Sequence, residues 1–166
     1  MHSEVIQYIQ SVKDRYPEYF SGVSVIDYGS KNINGSCRSL FDNADYTGVN
    51  RDKGRDVDVV SRMHEYIHPK LVDVVVTSSA MEHDKYVWQS LDRCWELLRR
   101  GGLLVGTTTG PGFPVHNDDE GEDNHYANII PDDLRAWMRA STDEWEVLSE
   151  VGHQNGTEIW FYAIKP

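Results

Sequence analysis

Cysteine is scarce in this sequence, which contains only Cys37 and Cys94 and no CxxC pair. A disulfide framework or a thiolate zinc site would need more cysteines at shorter spacings, so the sequence predicts neither. We interpret both cysteines as small buried hydrophobic residues, and we expect no metal at the functional site.

Long apolar runs and basic residues are also few. No stretch approaches the roughly 20 apolar residues that span a bilayer, and the first residues, MHSEVIQYIQ, lack the basic flank and apolar run of a signal peptide. Lys and Arg number 16 against 27 Asp and Glu, a formal net charge of −11. Because nonspecific nucleic-acid binding depends on basic residues, this charge disfavours a nucleic-acid partner. We expect a cytoplasmic protein without membrane contact, and the sequence does not indicate its oligomeric state.

What the sequence does contain is sufficient for one folded domain. Its 166 residues are 39% hydrophobic and include five Trp and nine Tyr. A chain of this length has room for one core and little room for a second. We therefore predict a single domain over residues 1–166.

Short apolar runs separated by turn residues indicate strands. The best of them, LVDVVVTSS (71–79), is continuously apolar, as expected for a central strand buried on both faces. The other predicted strands are 23–29, 44–50, 57–60, 102–109, 145–154 and 157–165. Asn155-Gly156, between the last two, is a strong hairpin signal. The final strand is therefore predicted to be antiparallel to its neighbour.

Segments with helical spacing of apolar residues lie between these strands. The clearest helix follows Asp84, and others are predicted over 4–20, where the helix should cover a sheet edge, and from Pro131 onward. Weaker helical signals span 37–43 and 61–68. Strands that alternate with helices predict an α/β fold. We expect a three-layer Rossmann-like sheet, mostly parallel, with a C-terminal antiparallel hairpin strand.

In such sheets, ligands bind beyond the carboxyl ends of the central strands. The turn after the first strand, from Asp27 to Ser36, is rich in residues that tolerate unusual backbone angles and expose N–H groups. It contains neither GxGxxG nor GxxxxGK[ST], which argues against a pyrophosphate ligand. The alternative for this turn is a plain strand-to-helix connection.

Five segments, in their order and spacing, resemble the motifs of class I S-adenosylmethionine-dependent methyltransferases, in particular the small type 11-like domains. They are VIDYGSKNINGS, YTGVNRDKG, VDVV, DVVVTSSAMEHD and WELLRRGGLLVGTTTGPGFP. The resemblance covers most of the chain and implies S-adenosylmethionine as the cofactor, methyl transfer as the reaction and an antiparallel last strand. A small molecule is the default acceptor, because the chain is short and acidic.

The resemblance also implies which residues form the site. The cofactor-binding set is Asp27, Gly29, Ser30, Asn34, Asn50, Arg51, Asp58, Val59, Ser78 and Ser79. Within this set, Asp58 and Val59 are expected near the adenine, Asn50 near the ribose, and Ser78 and Ser79 near the sulfonium.

Two features depart from the family pattern. Asn50 stands where the family usually has an acid, and the first loop lacks the usual GxG. An asparagine can still exchange hydrogen bonds with a hydroxyl, but without the charge-assisted strength of a carboxylate. A catalytically inactive homologue that binds the cofactor or a partner is therefore an alternative function. A nicotinamide-dependent oxidoreductase is a further alternative, disfavoured by the missing GxGxxG and the terminal hairpin.

The catalytic candidates are Glu82 and His83, which directly follow the predicted central strand, and His116, which follows GPGFP. A histidine near the acceptor can remove a proton at neutral pH. The alternatives are a structural role for His83 and an exposed loop position for His116. The loop 110–128 is predicted to be a flexible cover over the acceptor pocket. Its five acids lack the DxDxDG spacing of a calcium loop.

Overall fold

The computed structural model describes residues 3–116, 125–141, 149–154 and 157–166 of the chain. The helices are α1 (Ser3–Arg15), α2 (Val87–Leu97) and α3 (Pro131–Ser141). The strands are β1 (Ser24–Tyr28), β2 (Asp45–Asn50), β3 (Val59–Val60), β4 (Val72–Ser78), β5 (Leu98–Thr109), β6 (Ser149–Gln154) and β7 (Glu158–Ile164). Short 3-10 turns lie at Pro17–Tyr19, Cys37–Leu40, Met63–Glu65 and Met81–His83. None of the described helices is both long and apolar enough to cross a membrane.

The strands form one seven-stranded sheet in the order β3-β2-β1-β4-β5-β7-β6. Strands β1 to β5 run parallel, whereas β7 is antiparallel to β5, and β6 is antiparallel to β7. The predicted Rossmann-like sheet with an antiparallel C-terminal strand is therefore confirmed, with β4 at its centre. The predicted turn Asn155-Gly156 lies outside the described residues, as does the beginning of the strand predicted over 145–154.

One face of the sheet is covered by α1. Val5, Ile9 and Val12 of this helix share a buried cluster with side chains of β1, β4, β5 and β7. The helix therefore crosses the middle of the sheet, and the prediction that it covers an edge is wrong. This position is open to α1 because the chain between β1 and β2 forms the 3-10 turn Cys37–Leu40 rather than an α-helix.

The opposite face carries α2 and α3. Leu91 and Cys94 of α2 and Leu134 of α3 share a buried cluster with strand residues. The strand residues of that cluster include Ile26, Val75, Leu104, Ile159 and Phe161. Both cysteines are buried free thiols, as predicted. Helical cover on both faces is the reason why Val72, Val74, Val75 and Val76 of β4 are all buried.

Two weak helix predictions are corrected by the structure. Residues 37–43 form the 3-10 turn Cys37–Leu40, after which Phe41 is extended and Asn43 takes a positive φ of 53°. Residues 61–68 form the 3-10 turn Met63–Glu65, and the chain is extended at Tyr66. Pro69 then disfavours helical geometry at the residue before it. The expected alternation of strands and helices is therefore incomplete in the first half of the chain.

Strand β5 begins earlier than the sequence predicts. Helix α2 ends at Leu97 and the strand starts at Leu98, so that Arg99 and Arg100 belong to the strand. The pairing with β4 shifts register there, and Gly101 takes a φ of 71°. Strands commonly accommodate such an irregularity with a glycine in the left-handed region.

Candidate functional site

A cleft of about 570 Å³ opens at the carboxyl ends of the central strands. Its lining residues lie at or after the ends of β1, β2, β3, β4 and β5, and Glu158 at the start of β7 joins them. Strands β1 and β4 are neighbours in the sheet, and the chain continues from β1 toward one edge and from β4 toward the other. Open parallel sheets bind their ligands at this topological switch point. The position of the cleft therefore agrees with the site expected from the sequence.

The cleft brings together most of the residues that the sequence singled out. Its lining includes Asp27, Gly29, Ser30, Asn34, Asn50, Arg51, Ser78, Ser79, Glu82, His83 and His116. Asp58 and Val59 are not among the lining residues that the structure describes. Residues far apart in the sequence are thus gathered because parallel strands all end at the same edge of the sheet.

Gly29 ends β1 with a backbone geometry that only glycine adopts readily. Its φ is 85°, and a Cβ placed there would lie 2.1 Å from the Cβ of Ala80. Its N–H donates to the carbonyl of Val49 at 2.9 Å. The missing side chain therefore lets the loop after β1 pack between β2 and the residue that follows β4.

Asp27 places a carboxyl group deep in the cleft. The residue is 3% exposed, and the Tyr46 hydroxyl donates to its Oδ2 at 2.8 Å. Burial raises the pKa of Asp27 to about 7, against the opposing effect of the Tyr46 hydrogen bond. Its Oδ1 and the Oγ of Ser30 are buried without a hydrogen-bond partner among the described residues. The site therefore contains polar atoms that a bound ligand could satisfy.

Asn50 and the two residues after it form a polar wall at the end of β2. The Asn50 Nδ2 donates to the main-chain oxygen of Asp52 at 2.8 Å, which leaves the amide oxygen to accept. The Arg51 Nε donates to the Asp52 carboxylate at 3.0 Å, and its Nη1 donates to the His83 carbonyl at 3.4 Å. Arg51 therefore joins this wall to the 3-10 turn after β4.

The side chain of Asp58 is occupied by contacts with neighbouring residues of the protein. Its carboxylate accepts from the N–H of Gly48 at 2.7 Å and forms an ion pair with Arg38. Although partial burial acts in the other direction, these donors hold the pKa of Asp58 below its usual value. Residues Ser61, Arg62 and Met63 line the cleft beyond β3 instead. Sequence reasoning missed them, although their position directly after β3 was a usable signal.

Ser78 and Ser79 form the end of β4. Ser79 has a φ of 51°, and its N–H donates to the carbonyl of Thr107 at 2.9 Å. A non-glycine residue in this left-handed region costs about 1–2 kcal/mol. Strained backbone held in place by neighbouring strands is typical of ligand sites.

Glu82 and His83 lie on the far side of the cleft. Glu82 is 1% exposed, and the Thr108 hydroxyl donates to its Oε2 at 2.8 Å. Burial raises the pKa of Glu82 to about 7, although the Thr108 hydrogen bond acts to lower it. The ring of His83 lies 5.3 Å from that of His116. Two catalytic candidates from separate loops are therefore adjacent.

Tyr126 completes this group and was not identified from the sequence. Its ring lies 5.2 Å from that of His83 and 4.8 Å from that of His116. Its hydroxyl donates to the Oγ1 of Thr109 at 2.9 Å. No sequence signal distinguished Tyr126, because its position depends on how the chain returns to β5.

The predicted cover over the acceptor pocket is only partly described. Residues 117–124, which carry its acids, lie outside the described residues. On either side of them, the Asn128 Nδ2 donates to the Phe113 carbonyl at 3.0 Å, and the Ala127 N–H donates to the Glu82 carbonyl at 2.8 Å. Within the described ranges, no three His, Cys, Asp or Glu side chains come together as a set of metal ligands.

Solved structures with a similar fold share little sequence with this chain. The 1,6-didemethyltoxoflavin-N1-methyltransferase of Burkholderia thailandensis, with bound 1,6-didemethyltoxoflavin and S-adenosylhomocysteine, is 15% identical at a TM-score of 0.68, covering 95% of this chain and 78% of that one. A SAM-dependent methyltransferase from Archaeoglobus fulgidus is 16% identical at a TM-score of 0.66, covering 96% and 94%. Phosphoethanolamine N-methyltransferase 2 of Haemonchus contortus, in complex with S-adenosyl-L-methionine, is 17% identical at a TM-score of 0.69, covering 96% and 52%.

Sequence comparisons add no assignment of their own. No protein-family model matches the chain, and no curated protein matches it significantly. The likeness to the solved structures is therefore one of overall fold, at TM-scores of 0.66 to 0.69. The chain has the fold of the class I S-adenosylmethionine-dependent methyltransferases.

Proposed function

We propose that this chain is an S-adenosylmethionine-dependent methyltransferase that acts on a small-molecule acceptor. The observation that carries the proposal is the cleft at the topological switch point, whose wall contains the Asp27 Oδ1 and Ser30 Oγ, both without a hydrogen-bond partner in the part of the chain that the structure describes. Two of the solved structures with this fold hold S-adenosylhomocysteine or S-adenosylmethionine. Both the fold and the chemistry of the cleft support this ligand.

The residues of the cleft fit the parts of this cofactor. The free carboxylate oxygen of Asp27 suits the ammonium of the methionine moiety, because an ammonium group is a pure donor. The amide oxygen of Asn50 can accept from a ribose hydroxyl. The segment Ser61–Met63 takes the place by the adenine that the sequence suggested for Asp58 and Val59. Ser78 and Ser79 remain the proposed neighbours of the sulfonium.

Bound S-adenosylmethionine supplies a methyl group that is already activated by the sulfonium charge. The protein then has to align the acceptor, exclude water and remove a proton where the acceptor carries one. His83 and His116 are the imidazoles of the cleft and are our proposed proton acceptors. Glu82, which is buried and accepts from Thr108 of β5, is the third proposed member of this catalytic group.

A titration with S-adenosylhomocysteine tests the cofactor assignment directly. A ligand at 100 times its dissociation constant stabilises the native state by about 2.7 kcal/mol. We expect S-adenosylmethionine and S-adenosylhomocysteine to raise the melting temperature, and NAD and ATP to leave it unchanged. A response to NAD alone would support the oxidoreductase alternative. The proposal would be overturned if neither adenosyl compound raised the melting temperature at millimolar concentration.

Gly29→Ala and Gly22→Ala form a matched pair for locating the ligand. Both glycines have positive φ values, 85° and 68°, so both variants carry similar backbone strain. A Cβ at Gly22 meets no atom within 4 Å, whereas one at Gly29 would overlap Ala80 in the cleft. We expect Gly29→Ala to weaken S-adenosylhomocysteine binding by at least about tenfold, equivalent to about 1.4 kcal/mol. Gly22→Ala should bind the ligand normally.

A further inference from the structure

The two sides of the cleft differ in charge. The side formed by the ends of β4, β5 and β7 includes Glu82, His83, Thr109, Phe113, His116 and Glu158, which we call the β5 wall. Next to the carboxyl groups of Glu82 and Glu158, that of Asp84 also lines this side, where it accepts from the hydroxyls of Tyr28 and Ser90. No Lys or Arg is among the described lining residues of this side. The basic residues that line the cleft, Lys31, Arg51 and Arg62, follow β1, β2 and β3. Arg51 is already paired with the Asp52 carboxylate.

Glu82 is the most deeply buried of the ionisable groups on the β5 wall, and it becomes a carboxylate as pH rises through about 7. Its donors, the Thr108 hydroxyl and the main-chain N–H groups of Glu82 and Thr109, are neutral, and His116 is the nearby group of opposite charge that acts on it. A carboxylate removed from water is costly unless a counter-charge compensates it. A cationic group in the cleft would provide that counter-charge, and Glu158 at the mouth of the same wall adds a second carboxylate.

Aromatic rings form the rest of the β5 wall. The Phe113 ring lies 5.8 Å from the His116 ring, and the Tyr126 ring contacts both histidine rings. The face of a phenyl ring attracts a cation through its quadrupole, by about 0.5–1 kcal/mol at exposed sites and more when desolvated. Carboxylates beside an aromatic ring therefore form a surface suited to a nitrogen cation.

We infer that the β5 wall binds an acceptor with a basic nitrogen, so that the proposed methyltransferase is an N-methyltransferase of amines. This inference rests on the proposed function, because it assigns the acceptor of the same cleft. Acceptors that bear a phosphate or a carboxylate at the reacting end are disfavoured, because such groups are bound by Arg, Lys or clustered N–H donors.

The residues of the β5 wall can accept the proton that the amine has to lose before methyl transfer. A protonated amine first gives its proton to the imidazole of His83 or His116, which exposes the nitrogen lone pair. The lone pair forms the new N–C bond as the methyl C–S bond breaks, and the electrons of that bond remain on sulfur as a neutral thioether. The positive charge passes from sulfur to the methylated nitrogen, which Glu82 and Glu158 continue to face.

Three probes of similar shape and different charge test the inference on the full chain, saturated with S-adenosylhomocysteine. They are choline, its carbon isostere in which a quaternary carbon replaces the nitrogen, and the anion tert-butylacetate. None of them needs to be methylated, so the readout is binding by calorimetry or ligand-observed NMR. We expect choline to bind at least about tenfold more tightly than the carbon isostere, a difference of about 1.4 kcal/mol. The anion should bind most weakly.

Glu82→Gln and Glu158→Gln should each weaken choline binding by about three- to tenfold and leave the carbon isostere unaffected. Glu18→Gln, an exposed position outside the cleft, is the control for net charge. Choline affinity should also rise between pH 6 and 8 in the wild-type chain as Glu82 ionises. The rise should be smaller in Glu82→Gln, which keeps His83 and His116 in the same wall.

The outcomes separate the two proposals. Absence of S-adenosylhomocysteine binding overturns the proposed function itself, whatever the probes do. Normal S-adenosylhomocysteine binding with choline no tighter than the carbon isostere, including no binding by either, overturns the amine acceptor alone. A preference for choline that survives both glutamate substitutions likewise overturns the assignment to the β5 wall.

Discussion

The imidazole rings of His83 and His116 stand edge to face, with centroids 5.3 Å apart and an angle of 75° between their planes. His83 ends the 3-10 turn after β4, and His116 belongs to the loop after β5. The pair therefore joins two loops that emerge from neighbouring strands at the carboxyl edge of the sheet. Tyr126 contacts both rings, so the three side chains form one unit.

We predict that His116→Ala and His83→Ala lower turnover and leave the affinity for S-adenosylhomocysteine within about twofold. General base catalysis contributes about 10²–10⁴-fold in rate, and the residue that takes the proton should show a loss of that size. Because the rings form one unit, the double variant should be no slower than the slower single variant. His68→Ala, outside the cleft lining, is the control. A large loss of cofactor affinity in either variant would contradict this assignment.

Asn50→Asp should keep or improve the affinity for S-adenosylhomocysteine, by up to about tenfold. A carboxylate accepts from ribose hydroxyls with charge-assisted hydrogen bonds, which are about twice as strong as neutral ones. The exchange removes the donor to the Asp52 carbonyl, so thermal unfolding should be measured alongside the calorimetric titration. A strong loss of affinity in a folded variant would show that the ribose does not lie at the end of β2.

Asp58→Asn should lower stability without changing cofactor affinity by more than about twofold. The Asp58 carboxylate accepts from the Gly48 N–H and pairs with Arg38. Because this carboxylate is partly exposed, we expect the substitution to lower the free energy of unfolding by about 1 kcal/mol. Denaturant unfolding measures the first effect and calorimetry the second. If affinity fell sharply while stability held, the adenine would lie at Asp58 after all, as the sequence suggested.

Glu82→Gln should change how stability depends on pH. Burial raises the pKa of the native Glu82 from its ordinary 4.5 to about 7, so over this range the native state holds a proton that the unfolded state has released. The wild-type chain therefore loses stability as pH rises from about 5 to 7, by at most about 1.4 kcal/mol per pH unit from this group. Glu82→Gln should lack that component and gain stability relative to wild type.

Denaturant unfolding at pH 5, 6, 7 and 8 measures this difference. Glu18→Gln corrects for the loss of one negative charge, because Glu18 is exposed and distant from the cleft. A stability difference between Glu82→Gln and wild type that stays constant across the series would contradict the burial effect. If choline binds beside the Glu82 carboxylate, added choline should reduce the loss of wild-type stability at higher pH.

Local patterns in the sequence were enough to predict most of the sheet. The apolar run of β4 and the hairpin signal at Asn155-Gly156 are short-range features, because side-chain alternation and turn preference act over a few residues. Residues at or directly after the ends of strands, such as Asn50 and Ser79, could also be assigned to the cleft. Parallel strands bring their carboxyl ends together whatever the details of packing.

Only the tertiary structure decided which side chains have free groups and which are used for packing. Asp58 meets the sequence pattern of a ligand residue, yet Arg38 and Gly48 occupy its carboxylate. The two expected helices that form 3-10 turns, and the central position of α1, were also decided at this level, because tertiary packing overrides weak local helix propensity. The contact of His83, His116 and Tyr126 depends on loop closure between distant segments, whose free energy comes from packing and hydrogen bonds that no local pattern encodes.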